Sequence, residues 1–313
     1  MRYILKKIGI FVLTIFAISV LVFLAFQIIP GDPTTRMLGT QATPEKIAAL
    51  RAQLGLEKPV LTRYFTWLAN FIHGDFGTSY SYNMSVHDLL RGKIRITAAL
   101  TLLSFLMVLV ISFPLGILLA RFAHTWFDRI MMVLNQIIMS VPSFFTGILF
   151  TYIFGLILKL FTPTNFVDYN TNHAAFWGFL VFPALSIALP KAAMVIKLLR
   201  GSMVREMSED YVRTAYSRGN SRWQVLKGHV MRNAMIPVVT FLAVTLVDII
   251  AGSIIIEQVF NIPGMGRLLM TSINGRDLPV VQTIIMIISL VVITVNYIAD
   301  ISYKYIDPRI RFR

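Results

Sequence analysis

Five histidines, His73, His87, His124, His173 and His229, are the side chains best suited to bind a metal or move a proton near neutral pH. None stands in an HExxH pattern or beside an acid pair at ligand spacing, so no metal site is expected. Cysteine is absent, which removes thiolate ligands, thiol nucleophiles and disulfides. No GxSxG elbow is present. There is no GxxxxGK[ST] loop either, so the chain has no phosphate-binding loop and cannot itself be a P-loop ATPase. Pro263-Gly264-Met265-Gly266 is glycine-rich but lacks the lysine, and reads as a turn. The expectation is a protein that is not an enzyme and holds no cofactor of its own.

What remains is a set of polar residues inside long apolar runs: Asp248, Lys191, Asn135, Gln136, Ser140, Ser143, Asn296 and Asp300. Such groups are expensive in lipid and face a bundle interior or a cavity. Two roles are open. They pair locally and hold helices together, or some of them line a polar passage, for which Ser140, Ser143, Lys191, Asp248 and Asn296 are the candidates. Asp248 is expected to face the bundle interior or a partner subunit, away from lipid.

The elements that must carry these residues are membrane helices. Of the 313 residues, 56% are hydrophobic and only 14% charged, against about 25% charged in a soluble domain. Six apolar runs are long enough to cross a bilayer core: 8–29, 97–120, 130–158 interrupted by Pro142, 176–196 containing Pro183 and Pro190, 234–256, and 280–301. They are too long and continuous for barrel strands, so the fold class is an all-α integral membrane protein. The first run is longer than a signal-peptide core and Gln27-Ile28-Ile29-Pro30 is a poor cleavage site, so it reads as an uncleaved anchor. The net charge of +14 would suggest nucleic acid in a soluble protein. Here Lys and Arg concentrate at the N-terminus, between spans two and three, between spans four and five, and in the tail. With six spans these all fall on one side, which places both termini in the cytoplasm and accounts for the charge without nucleic acid.

Two polar stretches are informative. In the loop 30–96, Thr43-Pro44-Glu45 opens a helix with Ile47, Leu50 and Leu54 on one face and Gly55 at its end. Val60–His73 brings Tyr64, Phe65, Trp67, Leu68, Phe71 and Ile72. The loop is expected to be compact and partly helical, with Leu50, Leu54, Trp67 and Phe71 turned inward. It serves either as a packing cap or as a docking surface. The basic segment 200–233 reads as helix, break at Gly219-Asn220-Ser221, helix. It either packs under the bundle or on anionic headgroups, or offers a short helix to a groove on a partner. The expected organisation is 1–29 as an anchor helix, 30–96 as an outer loop with short helices, and 97–313 as a five-helix core containing the loop 200–233.

The order of short motifs along the chain carries a resemblance. Pro30-Gly31-Asp32-Pro33 is followed by Gly74-Asp75-Phe76-Gly77-Thr78-Ser79 and Val141-Pro142-Ser143-Phe144. Asp210-Tyr211-Val212-Arg213-Thr214-Ala215-Tyr216-Ser217-Arg218-Gly219 runs on to His229-Val230-Met231-Arg232-Asn233-Ala234-Met235-Ile236-Pro237. Glu257-Gln258-Val259-Phe260, Pro263-Gly264-Met265-Gly266, Arg276-Asp277-Leu278-Pro279 and Asp307-Pro308-Arg309 complete the series. In this order the motifs resemble the first permease subunit of peptide/nickel-type ABC importers, the dipeptide and oligopeptide permeases. The resemblance spans the whole chain. Arg213-Thr214-Ala215 departs from the general ABC importer pattern, in which Glu and Ala are commonest at the first two positions, but is usual for peptide permeases. Pro190-Lys191 is atypical.

The resemblance implies the ABC type I importer fold in a bacterial inner membrane. It implies a second homologous permease, two cytoplasmic ABC ATPases that bind ATP and Mg, and an extracytoplasmic binding protein. It assigns Tyr211, Arg213, Thr214, Ala215, Arg218 and Gly219 to an ATPase-coupling helix. The exposed face of that short helix is expected to carry Tyr211, Ala215 and Arg218. It makes Asp75, Glu257, Arg276 and Asp277 candidates for an outer gate or for contact with the binding protein. The expected cargo is di- or oligopeptide. The same machinery carrying nickel or a metal chelate is the alternative. From other classes, an ion-coupled carrier using Asp248 and Lys191, or a membrane-embedded enzyme, also stays open.

Overall fold

A computed structural model describes residues 2–28, 34, 38, 43–53, 55–162 and 165–306, without the side chains of 2–5 and 302–306. Pro30-Gly31-Asp32-Pro33, Leu54, Asp307-Pro308-Arg309 and the basic tail lie outside the described residues. Among those described, the regular structure is helical apart from one isolated bridge, Thr78 to Ser85. Five helices are long and apolar enough to cross a membrane: Lys6–Ile28, Val86–Arg121, His173–Glu206, Arg222–Val259 and Leu278–Ile301. A sixth crossing is a broken pair, Trp126–Ser140 and Ser143–Ile157, bent by 96°. The apolar runs set these crossings, and several of the helices continue past the runs into charged sequence. The chain divides into two compact units, Met1–Ile96 with Pro263–Thr294, and Thr97–Ile262 with Val295–Arg313.

The first unit holds α1 (Arg2–Ile28), α2 (Pro44–Gln53), α3 (Val60–Ile72) and the short α4 (Val86–Leu90). It also holds the start of α5 (Lys93–Arg121), then α12 (Met265–Asn274) and the first part of α13 (Leu278–Ile306). Tyr64 of α3 is its anchor. The Tyr64 ring is buried edge-on against Phe23, its centroid 5.4 Å away, and its hydroxyl meets Ser19 Oγ at 2.7 Å. A buried tyrosine needs such a partner for its OH. Trp67, Phe71 and Phe76 continue the aromatic contact from Phe23 onward. The expected inward set is therefore only partly right. Trp67 and Phe71 are half-buried, Tyr64 carries the packing, and α2 buries no residue, with Leu50 half-exposed. Two or three aliphatic side chains on a ten-residue helix do not supply enough apolar surface to sink it.

In the second unit α6 (Trp126–Ser140), α7 (Ser143–Phe150) and α11 (Met231–Val259) pack around α8 (His173–Glu206), which has the most deeply buried face of any span. Pro142 ends α6, because the residue before a proline leaves the helical region. Val141 accordingly has φ −85° and ψ 123°. Gly147 then lets α7 lie against the far end of α11. A Cβ there would stand 3.1–3.3 Å from side chains of Phe260, Ile256 and Val259. A π-helical turn, Thr151–Ile157, follows α7, and Phe154 and Phe161 stack on Phe182 of α8. Pro183 and Pro190 sit buried inside α8, where neighbouring helices hold its course.

Candidate functional site

The basic segment folds into α9 (Asp210–Ser217) and α10 (Arg222–Val225), and a π-helical turn, Leu226–Val230, leads into α11. Gly219 takes φ +82°, a conformation that costs an L side chain about 1–2 kcal/mol, and the chain reverses there. Ser221 caps α10 in a reciprocal box with Gln224. Val212 and Ala215 are buried, and α9 packs on α10 and the π turn. Asn220 Nδ2 donates to the Ala215 carbonyl at 3.0 Å. Tyr211 is half-buried and donates to Glu206 Oε2 at 2.7 Å. Burial, then the bond to the Glu206 carboxylate, pushes its hydroxyl pKa up.

These positions correct the expected face. Ala215 does not look outward; with Val212 it forms the i, i+3 stripe that seats α9 on its own chain. The exposed face is Arg213, Thr214, Tyr216, Ser217 and Arg218. Arg213 makes one long contact, 3.6 Å to Asp210, with both side chains almost fully exposed. Such a pair contributes about 0–1 kcal/mol, so the face is electrostatically open.

The polar span residues divide in the structure. Lys191 Nζ meets Asp248 Oδ2 at 2.6 Å, joining α8 to α11. The Asp248 side chain is still 49% exposed in this chain. Ser140 and Ser143 flank the 96° break; Ser140 is exposed and donates to the Gln136 carbonyl, and Ser143 is half-exposed. Asn296 is exposed on the last part of α13, in the same unit. Asn135 is buried and donates to the Ala193 carbonyl at 2.8 Å, and Lys197 donates to Gln136 Oε1.

The motif acids lie in two settings, two of them enclosed and one exposed. Glu257 is fully buried and accepts from Thr97 Oγ1 at 2.5 Å. Asp277 is fully buried and accepts from Ser79 Oγ at 2.5 Å, from Tyr80 N at 3.0 Å and from Ser81 N at 3.1 Å. Internal donors engage both carboxylates within this chain. Burial raises the pKa of the half-buried Tyr80 hydroxyl, and the Asp277 charge adds to that. Asp75 and Arg276 are exposed, with Asp75 Oδ1 capping Gly77 N and Arg276 in the left-handed region at φ +49°.

One constellation escaped the sequence reading. Asp128 at the start of α6 accepts two bonds from Arg200 of α8, 2.6 Å from Nη2 and 3.1 Å from Nε, and a third from His124 N at 2.9 Å. The available signal was Thr125 three residues before Asp128, an N-cap pattern that marks a helix start. It says nothing of Arg200, 72 positions away.

Helices long and apolar enough to cross the membrane several times, one of them broken at a proline, with polar side chains on span faces and a short polar helix between two spans, mark a multi-pass membrane protein. Residues 112–312 match the binding-protein-dependent transport system inner membrane component family, and residues 1–101 match the N-terminal segment of such components. The chain belongs to this family, within the peptide-type ABC permeases. It is 36% identical to the glutathione transport system permease protein of Escherichia coli (strain K12) over 314 residues, covering 100% of both chains. It is 33% identical to a putative peptide transport system permease protein of Brucella abortus (strain 2308), covering 99% of this chain and 98% of that one. It is 31% identical to a probable peptide ABC transporter permease protein of Sinorhizobium fredii, covering 99% of both.

Proposed function

We propose that this chain is one of two pore-forming subunits of a peptide importer, working with a second homologous permease, two ATPases that hydrolyse ATP with Mg, and an extracytoplasmic binding protein. The spans form half of a path whose access alternates between the two sides of the inner membrane. Both termini and α9 face the cytoplasm, where lysine and arginine concentrate. The observation that carries the reading is the presentation of α9: eight residues held between two spans, seated by Val212 and Ala215, with an open face of Arg213, Thr214, Tyr216, Ser217 and Arg218. A short helix with one packed and one open face fits a groove on a partner, here the ATPase. The end-to-end likeness to peptide permeases supports peptide as the cargo, and the likeness to the Escherichia coli protein favours glutathione as a second reading.

The test is reconstitution of the assembled transporter with Gly219→Val. A Cβ at 219 meets no atom within 4 Å, so the substitution strains only the backbone turn. Uptake driven by ATP should fall while the variant stays inserted and paired with its partner permease. Normal uptake, with ATPase still co-purifying, would overturn the placement of the coupling helix. Competition by short peptides and by glutathione in the same vesicles separates the two cargo readings.

A further inference from the structure

Arg121 is the last residue of one membrane-crossing helix, and Trp223 and Lys227 lie in the first six residues of another. The three side chains meet. The Arg121 guanidinium lies 5.6 Å from the Trp223 ring centroid and Lys227 Nζ lies 4.8 Å from it. Both distances are within the roughly 6 Å over which a cation is drawn to an aromatic face. Two cations therefore share one indole, although like charges brought together repel. Among the described residues no carboxylate pairs with either of them. The nearest acid in sequence to Arg121, Asp128, is occupied by Arg200 and His124 N. The arrangement lacks an anion.

The surroundings say which anion. Arg121 also stands 5.5 Å from the Phe122 ring, and Phe122 meets Phe127 edge-on. Trp126, the first residue of α6, is 74% exposed, and Trp223 is 40% exposed. Exposed indoles and basic side chains together at the ends of spans mark the headgroup level of a bilayer, where an amphipathic ring and a cation each find a partner. An acidic protein surface would answer the charge. It gives no reason for large apolar rings on the same patch at the level where a span leaves the membrane.

We propose that the Arg121–Trp223–Lys227 cluster is a binding site for the headgroup phosphate of an anionic phospholipid, with Trp126 and Phe122 against its glycerol and upper acyl region. The phosphate bridges the two cations, and the indole orders both. Trp223 is on α10, four residues after Gly219. A bound lipid therefore steadies the element on which α9 is seated, and the site links lipid composition to the conformation of that short helix.

The test uses the full chain in nanodiscs of phosphatidylcholine containing a minor share of phosphatidylglycerol, with retained lipid identified by native mass spectrometry. The chain should retain phosphatidylglycerol preferentially. Each removed charge should lower that preference about fivefold, and Arg121→Gln with Lys227→Gln about thirtyfold. Lys227 is exposed, so Lys227→Gln alone keeps the test available if the double variant fails to fold. The charge-keeping exchange Arg121→Lys with Lys227→Arg should retain most of the preference. An unchanged preference in the charge-removing variants overturns the proposal. An equal loss in the charge-keeping exchange also overturns it, because charge would not then be what binds. Lipid retention at the original level, with loss of ATPase from the assembled transporter, would give the cluster to an acidic protein partner instead. The lipid measurement needs no transport partner, so its failure is separate from any failure of the importer reading.

Discussion

Two ion pairs tie α8 to its neighbours, and the fold treats them differently. Asp128 is 3% exposed and takes two guanidinium donors and a backbone N–H. Asp248 is 49% exposed and takes a single contact from Lys191, itself 21% exposed. The first carboxylate is saturated, so its pair can only hold α6 and α8 together. The second keeps half its surface for something outside the chain, and it lies in the middle of a span. Lys191 offsets part of the cost of placing an acid in a span, and the half of Asp248 left open calls for a polar neighbour as well.

The largest expected effect breaks the saturated pair. Asp128→Ala leaves Arg200 largely buried without its partner, which costs about 3–5 kcal/mol. Thermal unfolding of the purified chain in detergent should show a large drop, and Asp248→Ala should show much less. Equal drops would abolish the distinction between a pin and an open charge.

Asp277 sharpens the comparison in the other unit, since it too is saturated. Asp277→Ala removes the acceptor of the Tyr80 and Ser81 amides; Tyr80 is half-buried, so its amide bears a cost of about 1–3 kcal/mol, whereas the exposed Ser81 can turn to water. Hydrogen exchange at 79–82 should accelerate with little change around Asp248. Retained protection at 79–82 would mean that the isolated bridge from Thr78 to Ser85 and the backbone bonds hold that loop unaided.

The same contrast between seated and open residues runs through α9. Ala215→Phe puts a ring where α9 meets its own chain, and overpacking of this kind costs about 1–3 kcal/mol. Limited proteolysis should open 207–221. Arg213→Ala or Arg218→Ala on the exposed face should shift stability by no more than about 0.5 kcal/mol. If Ala215→Phe leaves the segment protected, the seating is looser than its burial implies.

These contrasts also mark what the sequence made legible. The spans were, because about 20 apolar residues in a row have few other uses. The short helix at 210–217 and its glycine reversal were, because both are local. The 96° break was visible only as Pro142; its angle depends on Gly147 packing against Phe260 and Ile256, more than a hundred positions away. Ala215 was turned the wrong way because a helix of two turns has little periodicity with which to choose a face, and Val212 and Ala215 show the choice only once α10 is in place. The burial of Glu257 and Asp277 was not legible, because their donors Thr97 and Ser79 lie 160 and 198 positions away in the chain. Asp128–Arg200 stayed hidden because nothing local couples two charges so far apart.

The smallest effect on stability is expected where the effect on function should be greatest. Lys191→Met with Asp248→Leu replaces a pair that makes one contact and stays partly open. A half-exposed pair contributes on the order of 1 kcal/mol or less, and apolar replacements pack without leaving a charge behind. Unfolding temperature should therefore change little, or rise. If the open half of Asp248 faces a polar path or the second permease, uptake by the reconstituted transporter should fall sharply in the same variant. The single variants are needed to separate charge from packing. Asp248→Asn keeps shape and hydrogen bonding to Lys191 but strands a cation inside a span, so it should lose more stability than the double replacement. Full uptake by the double variant would show that the pair is only a second pin between α8 and α11, and would remove Lys191 and Asp248 from the path.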